Sequence, residues 1–347
     1  MKVKINGSEY LYFNDFTMSS NLDSVASTFA FTLKYDPKNL ALKELVRPLS
    51  FHKVEFINEE TGELQLTGII LSHTFNSRST PELVQLSGYS LAGELEDCSI
   101  PYSSYPLESL NRTLKEIATR LLQLFNLKLV ISVNVKKECD QIYTKSVATP
   151  SGSIKEYLAK LAAQRNVVVS HDPAGNVLFF RPDTKVASKG LYDQHNTLNM
   201  GLDVNGQGMH SDLTSIRQPS KKSDSDFDDE NEGVTGVDSI KNPLVKRFRP
   251  FVEVLSSGTE TDTVKGVKNT LAAELKNIKV GFELSKWDNI NIGDVLEVQN
   301  EELFISWPVR MIIVSLSKIE DSQKKSMVVT LVLPETFTGE QPKNIFS

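Results

Sequence analysis

Leu64-Gln-Leu-Thr-Gly-Ile-Ile-Leu-Ser-His-Thr-Phe75 reads as a β-strand and sets the organisation of the chain around it. It follows the shorter Val54-Glu-Phe-Ile57 and the polar, Gly-containing turn Asn58-Glu-Glu-Thr-Gly62. Asn76-Ser-Arg-Ser-Thr-Pro81 separates it from Leu83-Val-Gln-Leu-Ser-Gly-Tyr89, which suits a hairpin. Its middle, Gly68-Ile-Ile-Leu-Ser72, resembles Met311-Ile-Ile-Val-Ser315 near the other end of the chain. Each copy is preceded by a shorter strand and a turn containing Asn-Glu-Glu, at 58–60 and 300–302, and leads through a polar turn to an apolar strand, 83–89 and 327–333. Two copies of one strand–turn–hairpin order suggest two related β domains. Generic hairpins look alike too, so duplication and coincidence stay equally open on this pattern alone.

Working outward, Phe29, Phe31 and Leu33 alternate with Ala30, Thr32 and Lys34, the period of a half-buried strand. Short strands with turn signals over residues 1–100 suggest a barrel or sandwich. The pattern changes near residue 100. Pro106 opens a helix whose apolar face is Leu107, Leu110, Leu114, Ile117, Leu121 and Leu124. A strand over 128–133 follows, and Ser153 with Glu156 has the spacing of a capping box for a second helix. Val167-Val-Val-Ser170 and Val177-Leu-Phe-Phe180 form a hairpin around Asp172-Pro-Ala-Gly175. From residue 189 the strands return, with a third helix over 262–276 and strands at 209–217, 244–254, 278–284, 295–298, 310–316 and 327–333. The acidic run within 219–243 is poor in apolar residues and reads as a mobile loop. The expected fold is α+β, mainly β: two similar β-barrel domains, 1–100 and 189–347, with a small α/β insertion, 101–188, between them. Residues 189–218 are left open between the two barrels.

The chain has 347 residues, 39% hydrophobic and 24% charged, which is ordinary globular usage and excludes wholesale disorder. Two cysteines, Cys98 and Cys139, exclude a disulfide framework and a Cys-rich zinc site. A net charge of −6 argues against a dedicated nucleic-acid binder. No apolar run approaches a membrane-spanning length. The opening Met1-Lys-Val-Lys-Ile-Asn-Gly turns polar at once, so a cytoplasmic product without a signal peptide is expected.

Chemistry-bearing patterns are weak throughout. His52, His73, His171, His195 and His210 lack the spacing of a metal site. His73 reads as a strand residue and His171 as a solvated turn residue. Gly206-x-Gly208 has no following helix and reads as a turn or strand irregularity. Cys98 reads as a buried, inert thiol. Carboxylates are abundant but fall in turns and on polar helix faces, unlike the paired acids of a glycosidase. Lys246-Arg-Phe-Arg249 could touch phosphate, although a strand with an inward Phe248 is the ordinary alternative. Trp287 and Trp307 read as packed rather than as a ligand-binding face. No catalytic, cofactor-binding or metal residue is expected.

The order of several segments resembles one family. Phe16-Thr-Met-Ser-Ser-Asn-Leu-Asp-Ser-Val-Ala-Ser-Thr-Phe-Ala-Phe-Thr-Leu33, Leu66-Thr-Gly-Ile-Ile70 and Leu86-Ser-Gly-Tyr-Ser-Leu-Ala-Gly-Glu-Leu-Glu-Asp-Cys-Ser99 are similar to the first strands of the baseplate hub proteins of contractile phage tails, in particular those of Mu-like phages. Tyr89 stands where that family usually has Arg. Thr113-Leu-Lys-Glu-Ile-Ala118 and Ser151-Gly-Ser-Ile-Lys-Glu-Tyr-Leu-Ala-Lys-Leu-Ala162 resemble its two helices. Arg247-Phe-Arg-Pro250, Val280-Gly-Phe-Glu-Leu284, Ile292-Gly-Asp-Val-Leu296 and Leu331-Val-Leu-Pro-Glu335 continue the match in order.

The resemblance implies a non-enzymatic homotrimer without cofactors. Each chain would carry two similar β-barrels, so that three chains imitate a sixfold ring between a hexameric tail tube and a trimeric spike. Implied partners are other copies of itself, the tube, the spike and baseplate wedge proteins, with the tape measure protein as a further candidate. DNA would only pass through the channel, and no membrane contact is implied. The implied location is the virion baseplate, after assembly in the host cytoplasm. The net charge suggests an acidic channel wall. The alternatives are the hub of a tailocin or type VI-like machine, and a tail-associated cell-wall hydrolase.

Overall fold

The computed structural model describes residues 1–10, 13–76, 83–217, 236–255, 263–321 and 323–346. The first unit holds β1 (Lys2–Ile5), β2 (Ser8–Tyr10), β3 (Phe13–Asn21), β4 (Thr28–Lys34), the short helix α1 (Leu40–Leu45), β5 (Lys53–Ile57), β6 (Leu64–Phe75) and β7 (Leu83–Ser90). Its strands run β3-β4-β7-β6-β5-β1-β2, every neighbouring pair antiparallel. The alternation expected of β4 is realised. Phe29, Phe31 and Leu33 face a core shared with Phe16, Phe56 and Leu86. Burying each such side chain stabilises by about 1.5–3 kcal/mol. The Phe29 ring lies over Gly68 and Gly88, which leave room for it.

The middle unit contains α2 (Glu94–Asp97), β8 (Glu108–Thr113), α3 (Leu114–Gln123), β9 (Leu129–Ile131), α4 (Lys136–Cys139), β10 (Ile142–Val147), α5 (Ile154–Ala163), β11 (Val168–His171) and β12 (Val177–Phe180). Ala92, Leu95 and Ile100 are buried in its core, so the unit begins soon after β7 rather than at residue 101. The helix expected from Pro106 is shorter. Residues 108–113 are a strand paired with β10, and the helix begins after Thr113. There the Thr113 hydroxyl accepts the Glu116 N–H at 3.1 Å, and Glu116 accepts the Thr113 N–H at 2.9 Å. That capping box satisfies donors that a proline only omits, so it sets the start. Ser153 caps α5 as its spacing predicts, accepting the Glu156 N–H at 3.1 Å.

The second unit holds β13 (Leu191–Tyr192), β14 (Asn199–Val204), β15 (Asp212–Arg217), β16 (Gly236–Lys241), β17 (Pro250–Leu255), α6 (Thr263–Leu275), β18 (Ile278–Leu284), β19 (Val295–Asn300), β20 (Ile305–Glu320), β21 (Lys325–Val332) and α7 (Glu335–Thr338). Within 189–218, β13 and β14 pair with β19 and β18, and β15 joins β16 and β17 in a small sheet under α6. Those residues therefore sit with the second unit. Most of the acidic stretch lies outside the described residues, but 236–241 is a strand and not part of a loop. The strand expected over 244–254 is confined to β17. Phe248 is 76% exposed rather than inward, because Arg249 turns away to donate to the carbonyls of Met209 and Gln207, each at 3.1 Å.

The two β units repeat one another. The order β14-β18-β21-β20-β19 reproduces β3-β4-β7-β6-β5, again antiparallel throughout. The pairing of β6 with β7 slips between Ile70 and Ser72, and that of β20 with β21 slips between Ile313 and Ser315. The extra residues, Leu71 and Val314, occupy the fourth position of the two matching sequence stretches. Unrelated hairpins have no reason to share a bulge at one place, so its recurrence favours duplication. The paired positions show why identity is low. Phe29 opposite Gly88 corresponds to Val280 opposite Leu331, and Gly68 to Met311, which shares a core cluster with Val280, so large and small residues have changed places.

The chain is mainly β, as expected, but the described residues contain no closed barrel. β20 pairs with β19 along its first half, while 315–320 pairs with 16–21 of β3. One bent strand therefore serves both units, and a 13-stranded sheet runs across them with open ends at β14 and β2.

Candidate functional site

The seam between the β units is the best-organised polar region of the molecule. On its open face, Ser19 Oγ and Ser317 Oγ are 2.7 Å apart. On its core face lies Lys318, only 6% exposed, whose Nζ donates to Gln65 Oε1 at 2.6 Å. Burial lowers the pKa of this ammonium, and the Glu63 carboxylate works in the opposite direction. Trp287 spans the two cores. Its ring meets Phe16 edge-on at 6.2 Å, and its Nε1–H donates to the carbonyls of Ile319 and Ser326 at 3.2 and 3.0 Å. The expectation of a packed Trp287 therefore holds. Trp307, at 45% exposed, is not packed as expected.

The middle unit docks against this seam through His171. The ring is not solvated as the turn position suggested. Nε2 lies 2.6 Å from Ser27 Oγ, and Nδ1 lies 3.0 Å from the Asp172 carbonyl. Burial pushes its pKa down, while hydrogen bonding to that carbonyl and nearby carboxylates oppose the shift. Ser170 also donates to the Ser24 carbonyl at 3.3 Å. A cavity of about 530 Å³ remains where the three units meet, lined among others by Lys318, His171, Ser27, Glu63 and Asn291.

The remaining sequence candidates are scattered. His73 lies on β6 near His52, and burial and that neighbour lower its pKa. His195 is exposed. His210 holds α6 to the start of β15, with Nδ1 at 2.6 Å from Glu274 Oε1. Gly206-Gln-Gly208 forms a single tight turn after β14. Cys98 is half-buried rather than buried, and burial followed by Glu94 and Asp97 raises its thiol pKa. Cys139 is buried and its pKa is pushed up to about 11. Among the described residues no cluster of three or more His, Cys, Asp or Glu could hold a metal, and no helix is long and apolar enough to cross a membrane. Sequence reasoning missed Lys318 and His171. Lysine at the inward position of an alternating strand, two residues after Leu316, was the available signal for the first.

Two strand edges complete the candidate surface. Among the described residues no strand pairs with the outer side of β14, and 72–75 of β6, paired with β7 on one side, have no strand on the other because β5 ends opposite Ile69. Both edges carry exposed apolar side chains, Val204 at 44% and Phe75 at 39%.

Residues 92–181 match the family described as baseplate hub protein gp44-like, second domain. The fold is similar to that of a 43 kDa tail protein of prophage MuSo2 from Shewanella oneidensis, at 20% identity and a TM-score of 0.76, covering 96% of this chain and 98% of that one. A tail protein from Neisseria meningitidis MC58 is similar at 18% identity and a TM-score of 0.74, covering 97% of each chain. A component of the type VI secretion system of E. coli shares the fold at 9% identity and a TM-score of 0.61, covering 99% of this chain and 80% of that one. Among the curated proteins nothing matches the chain.

Proposed function

We propose that this chain is the structural hub of a contractile tail, a reading supported by the match of residues 92–181 to the second domain of a baseplate hub protein and by the likeness of its fold to phage tail proteins. In this reading three copies form a ring, and each copy contributes two related β units, so that the ring imitates sixfold symmetry. The ring joins a hexameric tube to a trimeric spike and surrounds the channel. One observation carries the reading: a single β unit occurs twice in one chain, and the copies are joined edge to edge through β20 and β3. A repeated head-to-tail contact of that kind closes into a ring when the rotation permits.

The open face of the shared sheet would form the channel wall. Its cross-strand rows include Ser317, Ser19 and Thr28, and then Thr17, Ala30, Ser87 and Ser72. Small hydroxyl-bearing side chains line the middle of this face, and its rows continue to Glu283 and to the Asp203–Lys279 pair, so the wall would carry charges of both signs in place of the acidic wall suggested by the net charge. Passing phosphates bind such a surface weakly. The role is mechanical rather than enzymatic, with tube, spike, wedge and tape measure proteins as the contacts, in a virion baseplate assembled in the host cytoplasm. A hub of a tailocin or type VI-like machine is the second reading, supported by the likeness to the type VI component.

Light scattering on the purified chain, alone and with the product of the neighbouring spike gene, tests the ring. The expected mass in at least one condition is three times 38.7 kDa. A monomer in both conditions overturns the ring.

A further inference from the structure

We propose that the cavity where the three units meet binds a small monocarboxylate with an apolar body, held through Lys318. The site lies within one chain and does not depend on the ring. Lys318 is 6% exposed on the inward face of β20 and lines the cavity. An ammonium has three N–H donors. Among the described residues the only hydrogen-bond acceptor Lys318 meets is the neutral Gln65 Oε1, at 2.6 Å. The Trp287 ring, 6.0 Å from Nζ, stands at the far limit of a cation–π contact. Two carboxylates share the cavity lining, and neither is the counter-ion of Lys318. Asp172 accepts from the N–H and Nδ2 of Asn176 at 2.9 and 2.7 Å. Glu63 is exposed, with Oε2 accepting from the Thr61 hydroxyl at 3.3 Å, and it acts on Lys318 only through space. Buried charges in proteins are normally paired, and one without a counter-ion is strongly destabilising. An anion in this cavity supplies the pairing.

The shape and lining select the class of anion. The volume, about 530 Å³, falls within the roughly 300–1,000 Å³ of small-molecule sites. Asn21, Glu63 and Asn291 are exposed at the rim, whereas Lys318 is buried. Leu178, Phe180 and Ile292 are half-buried on the walls and offer an apolar surface. Ser20 is diagonal to Lys318 across the ladder of β3 and β20. It accepts from Ser27 Oγ at 2.8 Å, which leaves its own O–H to donate to a second carboxylate oxygen. A single ammonium with Glu63 and Asp172 on the same lining disfavours a doubly charged phosphate, and it repels a cationic ligand. Apolar walls around one buried ammonium thus match a carboxylate carried on a hydrocarbon body.

The test is titration calorimetry on the full chain with octanoate, below its micelle concentration, against 1-octanol and inorganic phosphate. Octanoate is expected to bind once per chain, and 1-octanol and phosphate at least roughly tenfold more weakly, the scale of a charge-assisted hydrogen bond. Lys318→Met replaces the buried charge by an apolar side chain of similar length and is expected to fold. It should lose octanoate affinity by the same factor and bind 1-octanol as the wild type does. No binding of octanoate, equal binding of octanoate by Lys318→Met, or binding of 1-octanol or phosphate as tight as that of octanoate overturns the proposal. Should Lys318→Met fail to fold, a diazirine-bearing octanoate photolysed on the wild type decides. Label on Leu178, Phe180 or Ile292 that excess octanoate suppresses supports the site, and label found only elsewhere overturns it.

Discussion

Gly88→Ala tests whether the first β unit is packed as its ladder implies. A Cβ built at Gly88 falls on the Ile69 carbonyl oxygen, inside van der Waals contact, and 2.8 Å from Phe29 Cζ. The oxygen belongs to the neighbouring strand, so it moves only if β6 and β7 separate. Overpacking of this kind costs about 1–3 kcal/mol, and a backbone obstacle places it near the top of that range. The lost freedom of the unfolded glycine returns roughly 0.4–1 kcal/mol, which leaves a net loss of about 2 kcal/mol. With a urea slope of roughly 3 kcal/mol per M, the unfolding midpoint followed by circular dichroism should fall by roughly 0.7 M. Gly281→Ala, where the nearest contact is Val329 O at an ordinary 3.7 Å, is the control and should change little. In a Phe29→Val background the penalty of Gly88→Ala should shrink but persist, since the ring is relieved and the carbonyl is not. Equal midpoints for the Gly88 and Gly281 variants would refute the packing argument.

Two further outcomes follow from the middle unit. Burial holds the His171 pKa below its ordinary value. Above that ordinary value both states are neutral. Below it only the unfolded chain readily takes the proton, so stability is lost as pH falls toward the folded pKa. The thermal midpoint should therefore drop more between pH 7 and 5 in the wild type than in His171→Gln. Thr113→Ala removes the capping hydroxyl of α3 and should cost about 1 kcal/mol in urea unfolding, while Thr113→Ser should retain most of it.

Elements with a clear period were legible in the chain itself. β4 follows from Phe29, Phe31 and Leu33, and β18 has the bounds the pattern indicates. α5 begins where Ser153 and Glu156 say it should. The reading failed where two signals competed. Leu107 and Leu110 fit a helical face, but their backbone is strand and the cap at Thr113 decides the boundary. The repeat was visible in five residues, yet its strongest mark, the shared bulge, is a property of pairing that no single strand reveals. The expectation of closed barrels failed for a related reason. Local alternation specifies which face of β20 is buried, but not that its two halves would serve different neighbours. The docking role of His171 was equally hidden, because Ser27 lies 144 positions away in the chain.

Sharing β20 between the units also has a mechanical consequence. The rungs linking 315–320 to 16–21 lie across the strand direction. A pull along those strands loads all the rungs together, whereas a pull at right angles opens them one after another like a zip. The bond between the halves should therefore resist axial sliding far better than lateral peeling. In the proposed hub role, thrust along these strands would load the weld in its stronger direction.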